Sequence, residues 1–123
     1  MSASLGPNAF PRSNRLLKPA EYRITLNQAD LRVSVGSMWI IARANQRNHA
    51  RLGMIVGRRA QRRAVDRNLT KRSIRETFRQ LIDLPAADIV VQVHSAPRKP
   101  VVLEVEKLFA RLESKWLQNT GEV

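Results

Sequence analysis

The chain has 123 residues, of which 22 are basic and 10 acidic, giving a net charge of +12. A chain of this length suits one domain that buries roughly two-thirds of its unfolded surface, and a hydrophobic content of 43% gives it a core that a disordered basic tail lacks. The absence of cysteine excludes disulfides, a thiolate nucleophile and a cysteine-type zinc site. Met1 to Ala9 lack a basic start followed by an apolar stretch of secretory length. The longest apolar run, Met38 to Ala42, is five residues, far short of a membrane span. These features read as a single domain over 1–123 of a soluble cytoplasmic protein, with 1–9 and 118–123 as flexible ends.

Taken in order, the residues up to Lys18 are polar and punctuated by Pro7 and Pro11. Pro19 then stands where a first helical turn tolerates proline, ahead of a short helix over Ala20 to Asn27. Leu31 to Val35, Ser37 to Ala44 and Arg51 to Gly57 are rich in β-branched and apolar residues and are predicted as strands. Gly36 divides the first two, and the polar Gln46-Arg47-Asn48-His49 reads as a hairpin loop before the third. A second helix is predicted from Ala64 to Leu84, stopped by Pro85. Asp88 to His94 is a nearly continuous apolar strand of the buried type. After Pro97 and Pro100, the positions Val101, Val105, Leu108, Phe109, Leu112 and Trp116 follow helical spacing, so a last amphipathic helix covers the sheet. The order is α-β-β-β-α-β-α, an α+β class.

Charge is concentrated in one place. Between Arg58 and Arg79 stand nine basic residues against two acids, a local net of +7. Such a density repels itself unless a polyanion lies across it, and a phosphate backbone is the simplest partner. Of the 22 basic residues 17 are arginine, whose planar fork grips phosphate bidentately and stacks on bases. A genome rich in G and C is the alternative source of that bias, but it does not explain the clustering. At 3.6 residues per turn Asn68, Arg72, Arg75 and Arg79 form one basic stripe with Lys71 beside it. Ile74, Phe78 and Leu81 form an apolar face to pack on the sheet. Arg58 and Arg59, at the end of the preceding strand, add cations near the same ligand.

The run Arg63-Ala64-Val65-Asp66-Arg67-Asn68-Leu69-Thr70-Lys71-Arg72-Ser73-Ile74-Arg75-Glu76 resembles the signature helix of the bacterial ribonuclease P protein subunit, in which an Arg-Asn-Arg core is followed by Lys-Arg and then Arg-Glu. The resemblance extends to Phe10-Pro11-Arg12, to Arg15-Leu16-Leu17-Lys18-Pro19, to the strand Arg51 to Gly57 with Arg58-Arg59, and to the apolar strand after the helix, covering 10–117. Leu69 departs from it by replacing the last arginine of the core; spaced four residues from Val65, it is expected to extend the packing surface.

The resemblance implies a fold like domain 2 of ribosomal protein S5, with a left-handed β-α-β crossover through the basic helix against the usual right-handed rule. It also implies a ribonucleoprotein endonuclease in which a catalytic RNA subunit, holding magnesium, removes the 5′ leader of precursor tRNA. By position, Arg58, Arg59, Arg63, Arg67, Asn68 and Arg72 would meet the RNA subunit. Tyr22, with Lys71 and Arg75 at the edge, would hold the single-stranded leader in a cleft between the first helix, the sheet and the second helix.

A single strand is held without sequence preference by aromatic stacking in a cationic groove, yet aromatics are only 5% of the chain. Phe78, Phe109 and Trp116 lie at core spacings. Trp39 reads as core before stacking, whereas the family position favours stacking for Tyr22. A self-sufficient protein enzyme is disfavoured: His49 and His94 have no second ligand at metal spacing, no nucleotide or triad motif appears, and the ten carboxylates are scattered where a two-metal nuclease needs several together. No catalytic or metal-binding residue is therefore assigned. A non-enzymatic RNA-binding protein of ribosomal type is the alternative, which the Arg67-Asn68 signature disfavours. DNA binding is weaker still, lacking a turn-helix pair.

Overall fold

The structure, a computed structural model, describes residues 14–81 and 84–120, with side chains to 118. Its elements are α1 (Pro19–Asn27), β1 (Leu31–Val35), β2 (Met38–Ala44), β3 (Arg51–Val56), α2 (Ala64–Gln80), β4 (Ala87–Val93) and α3 (Val101–Thr120), the α+β order expected. Phe10 to Arg12 and residues 1–9 lie outside the described residues, as do 121–123. Residues 118–120, expected to be flexible, continue α3.

α1 starts where its sequence directs it. Pro19, with its fixed φ, opens the helix, and the Glu21 carboxylate accepts from the backbone N–H groups of Leu17 and Lys18 at 3.0 and 3.1 Å, satisfying donors that a helix start leaves orphaned. β1 and β2 form an antiparallel hairpin turned at Gly36, whose φ of 56° is one that residues with a Cβ resist. There the Ser37 N–H donates to Glu104 of α3 at 2.6 Å.

The sheet order is β1-β2-β4-β3, with β4 antiparallel to β2 and parallel to β3. The expected hairpin at His49 is thereby corrected: β2 and β3 are not neighbours, because the long apolar β4 inserts between them and buries both of its faces. α2 makes the crossover that a parallel pair requires. It ends at Gln80, not Leu84; Leu81 is extended (ψ 125°) and its partly buried side chain packs against the core. The chain therefore leaves the helix well before Pro85. β4 likewise runs one residue earlier than expected, and His94 lies beyond it.

Side chains alternate across a strand, which divides the sheet into two surfaces. Ile40, Ala42, Leu52, Ile89, Val91 and Val93 join Ile74 and Phe78 of α2 and Val105, Leu108, Phe109 and Leu112 of α3 in the main core. The alternate residues Ile41 and Val90, also buried, face the other way, together with Gly53, which stands opposite Val90. α1 covers part of that second surface. It is tied down by Arg51, which donates twice to Asp88, at 2.8 and 2.8 Å, and once to Glu21 of α1 at 2.9 Å. The outer edge of β3 is met by the segment before α1, through a parallel bridge between Arg15 and Leu52 and a Leu16 N–H to Leu52 carbonyl bond of 2.9 Å.

Candidate nucleic-acid interface

α2 is anchored on one side and open on the other. Thr70, Ile74, Thr77 and Phe78 are buried, the two threonines being additions to the expected face that their small polar side chains did not signal. Around the opposite side, Arg63, Asn68 and Arg72 are exposed, with Arg58, Arg59 and Arg62 exposed in the loop leading to the helix. Arg72 is 67% exposed and pairs with Glu76 at 3.2 Å, while Arg63 reaches Asp66 only at 3.8 Å. Among the described residues Arg58, Arg59, Arg62, Lys71 and Arg75 engage in no ion pair. Two acids thus leave most of this field uncompensated.

Arg79 departs from the expected stripe, and Arg67 and Leu69 beside it are also set apart from the open cations. Arg79 has a side chain only 10% exposed, its guanidinium 3.8 Å from Glu76, because at the end of the helix it folds back toward the protein. Arg67 is half-buried and donates from Nη1 to the carbonyls of Gln61 and Arg62, both at 2.9 Å. It holds the loop that displays Arg58, Arg59 and Arg62, so part of its cationic fork is committed inside the protein. Leu69 does not extend the packing surface: it is 51% exposed, as is its helical neighbour Val65 at 50%, since both lie on the turn away from the sheet.

Tyr22 lies on the second surface of the sheet. Its ring rests on Gly53 so closely that a Cβ there would stand 2.7 Å from two ring carbons, and its hydroxyl accepts from the Met54 N–H at 3.3 Å. Beyond α1 this surface is open. Ser34, Trp39, Gln92 and Ile55 form one row across all four strands. Trp39, expected in the core, is 43% exposed with its ring 4.8 Å from that of His94, because it alternates with the core residues Met38 and Ile40. Phe78 and Phe109 are buried as their spacing indicates, and Trp116 is half-buried against the core. Lys71 and Arg75 are half-buried on α2, which packs on the opposite surface. Tyr22 and these two cations therefore lie on opposite surfaces of the sheet, with the β3 edge and its Arg15–Leu16 cover between them.

Among the described residues the strongly perturbed charges gather beneath α1. Hydrogen bonds from the Lys18 and Leu17 N–H groups, followed by Arg51, hold the Glu21 carboxyl down at about 2. Burial opposes ionisation of Asp88, yet hydrogen bonds from Arg51 and Asn45 and the Arg51 charge outweigh it and keep its pKa low. The same partners raise Arg51. This cluster was not singled out in the sequence, although a basic residue at the head of one apolar strand and an acid at the head of the next were its signal. Among the described residues no three His, Cys, Asp or Glu side chains are grouped to hold a metal. Among the described residues no helix is long and apolar enough to cross a membrane.

The ribonuclease P family model matches residues 10–115. The chain belongs to the ribonuclease P protein family. The ribonuclease P protein component of Marinobacter nauticus is 39% identical over 92% of this chain and 89% of its own length; that of Methylococcus capsulatus is 40% identical over 88% and 82%. The solved structure of the Staphylococcus aureus RNase P protein covers 84% of this chain and 94% of its own with a TM-score of 0.67 at 25% identity. As a ribonuclease P protein component, the chain is a subunit of the ribonucleoprotein endoribonuclease of tRNA 5′ processing, with ribonuclease P RNA as its partner.

Proposed function

We propose that the open side of α2 and the half-covered surface of the sheet divide the work of this subunit. Arg58, Arg59, Arg62, Arg63 and Arg72 neutralise phosphates of the RNA subunit and Asn68 hydrogen-bonds beside them, with Arg67 holding their loop and offering its remaining donors. Tyr22 and Trp39 supply stacking faces for the single-stranded 5′ leader of precursor tRNA, with Lys71 and Arg75 drawing its backbone around the β3 edge. Catalysis stays with the RNA, which holds the magnesium, and the complex works in the cytoplasm. The observation that carries this reading is the uncompensated cationic ridge on a helix whose other side is fixed in the core. A protein with such a ridge and no assigned catalytic group contributes binding, position and charge neutralisation.

The test compares wild type, Tyr22→Phe and Tyr22→Ala in holoenzyme reconstituted from RNA-free protein. The protein alone should not cleave, and the reconstituted complex should cut precursor tRNA at one position. With a leader of about ten nucleotides, Tyr22→Ala should lose about 1–3 kcal/mol of precursor affinity, the range for one base on one ring. Tyr22→Phe should keep it, since the ring stays on Gly53. Affinity for mature tRNA should hardly move. Equal losses for a one-nucleotide leader and a long one would remove Tyr22 from the leader site, and cleavage by the protein alone would overturn the division of labour.

A further inference from the structure

A cavity of about 490 Å³ opens beside the cationic ridge, between the first half of α2 and the loop that leads into α3. It lies on the flank of α2 away from Lys71 and Arg75, and its size falls within the about 300–1,000 Å³ of small-ligand sites. Its walls are largely apolar, Leu69 from α2 and Pro97, Pro100 and Val101 from the loop and the start of α3, with the hydroxyl-bearing Thr70 and Ser73 of α2 beside them. Lys99 stands among them. Gln61 and Asp66 supply polar groups. The Gln61 Oε1 atom is buried without a hydrogen-bond partner among the described residues, an arrangement that is unfavourable unless a donor reaches it. Among the described residues Asp66 meets only Arg63, at 3.8 Å, so its carboxylate retains acceptor capacity.

We infer that this cavity receives one unstacked nucleobase of an RNA strand, and that the base is guanine. The inference rests on the reading that the neighbouring ridge faces RNA. Sequence-specific RNA recognition takes bases that have left the stack and reads their pairing edges, and flipped bases are held between apolar side chains. Leu69, Pro97, Pro100 and Val101 provide such walls. The polar groups offer acceptors: a carboxylate, and an amide oxygen that a turn about its broad terminal torsion presents to the cavity. Guanine carries two adjacent donors, the ring N1–H and the exocyclic amine, which one carboxylate accepts together. Adenine and cytosine offer the amine without the adjacent N–H, and uracil offers one N–H between two carbonyls. Lys99, with the exposed Arg62 and Arg63 on the approach, is suited to the phosphates that accompany the base. Leu69, 51% exposed, forms one wall of this site.

The experiment titrates the full chain with guanosine, adenosine, cytidine and uridine 5′-monophosphates, and with inorganic phosphate, following the methyl resonances of Leu69 and Val101 by NMR. Guanosine monophosphate should shift both saturably at millimolar concentration, about tenfold more tightly than the other three, as one two-point contact to a base discriminates. Phosphate alone should leave these methyls in place. Asp66→Asn, with an unchanged circular dichroism spectrum, should bring the four nucleotides within about twofold of one another. Absent shifts, equal response to all four, or shifts reproduced by phosphate would overturn the inference. Arg72→Ala separates it from the underlying reading: loss of RNA-subunit affinity in that variant, with no nucleotide response at Leu69, would leave the ridge standing and the pocket refuted.

Discussion

Arg51 and Arg72 are the same residue type put to opposite uses. Arg51 is buried, with all three of its outer nitrogens engaged by Asp88 and Glu21, and it fastens α1 to the sheet. Arg72 stands in solvent with one exposed acid beside it. A buried guanidinium is tolerable only when its donors are met inside the protein; an exposed one on a crowded cationic ridge is relieved only by charge from outside. The side chain does not decide whether an arginine serves the fold or the ligand. The acceptors within its reach do.

The contrast is broken most forcefully at Arg51. Arg51→Met leaves Asp88 buried without its counter-charge and should cost about 3–5 kcal/mol of stability in urea denaturation, with little dependence on salt. A loss below about 1 kcal/mol, within the range of exposed pairs, would show that the buried pair is not what holds α1 down.

Acid probes the same region more gently. Glu21 and Asp88 have folded pKa values below their unfolded ones, so their contribution is fully present above the unfolded values and is lost as protons bind the native state. For Glu21 that loss runs from about 4.5 down to about 2. Thermal unfolding followed over this window should show a falling Tm, and Glu21→Gln should flatten the fall. An unchanged pH profile in Glu21→Gln would assign the acid sensitivity elsewhere.

Arg67 lies between the extremes. Arg67→Ala should cost about 1 kcal/mol through its lost bonds to the Gln61 and Arg62 carbonyls, and should also weaken RNA binding as the loop loosens. Full stability with weakened binding would make it a pure phosphate contact. The smallest effect on folding belongs to Arg72→Ala, within about 0.5 kcal/mol as for most surface changes. Its signature is instead a log K against log salt slope flatter by roughly 0.7 to 0.9; an unchanged slope removes it from the RNA surface.

What could be read from the sequence follows the range of the forces involved. The element order and the buried Ile74 and Phe78 were legible because helical periodicity is local. The position of β4 was not legible in local patterns, since it depends on pairings between distant segments; only the family resemblance, with its β-α-β crossover, implied the parallel β3-β4 pair. Arg67 looked like its neighbours because backbone carbonyls leave no mark in a sequence. Trp39 and Leu69 were misread for a common reason: both are apolar, and apolarity alone does not reveal whether a residue faces the core or a surface kept open.

The bridge from Arg15 and Leu16 to Leu52 has a bearing on how the subunit survives before its partner arrives. An outer strand with free N–H and carbonyl groups is a template on which another chain can add a strand, and proteins guard such edges with short covering segments. Here the guard is two residues long and sits immediately before α1. Because Leu16 is itself buried, its loss would both weaken the packing and expose a surface for self-association, so a lower melting temperature would come with lower solubility.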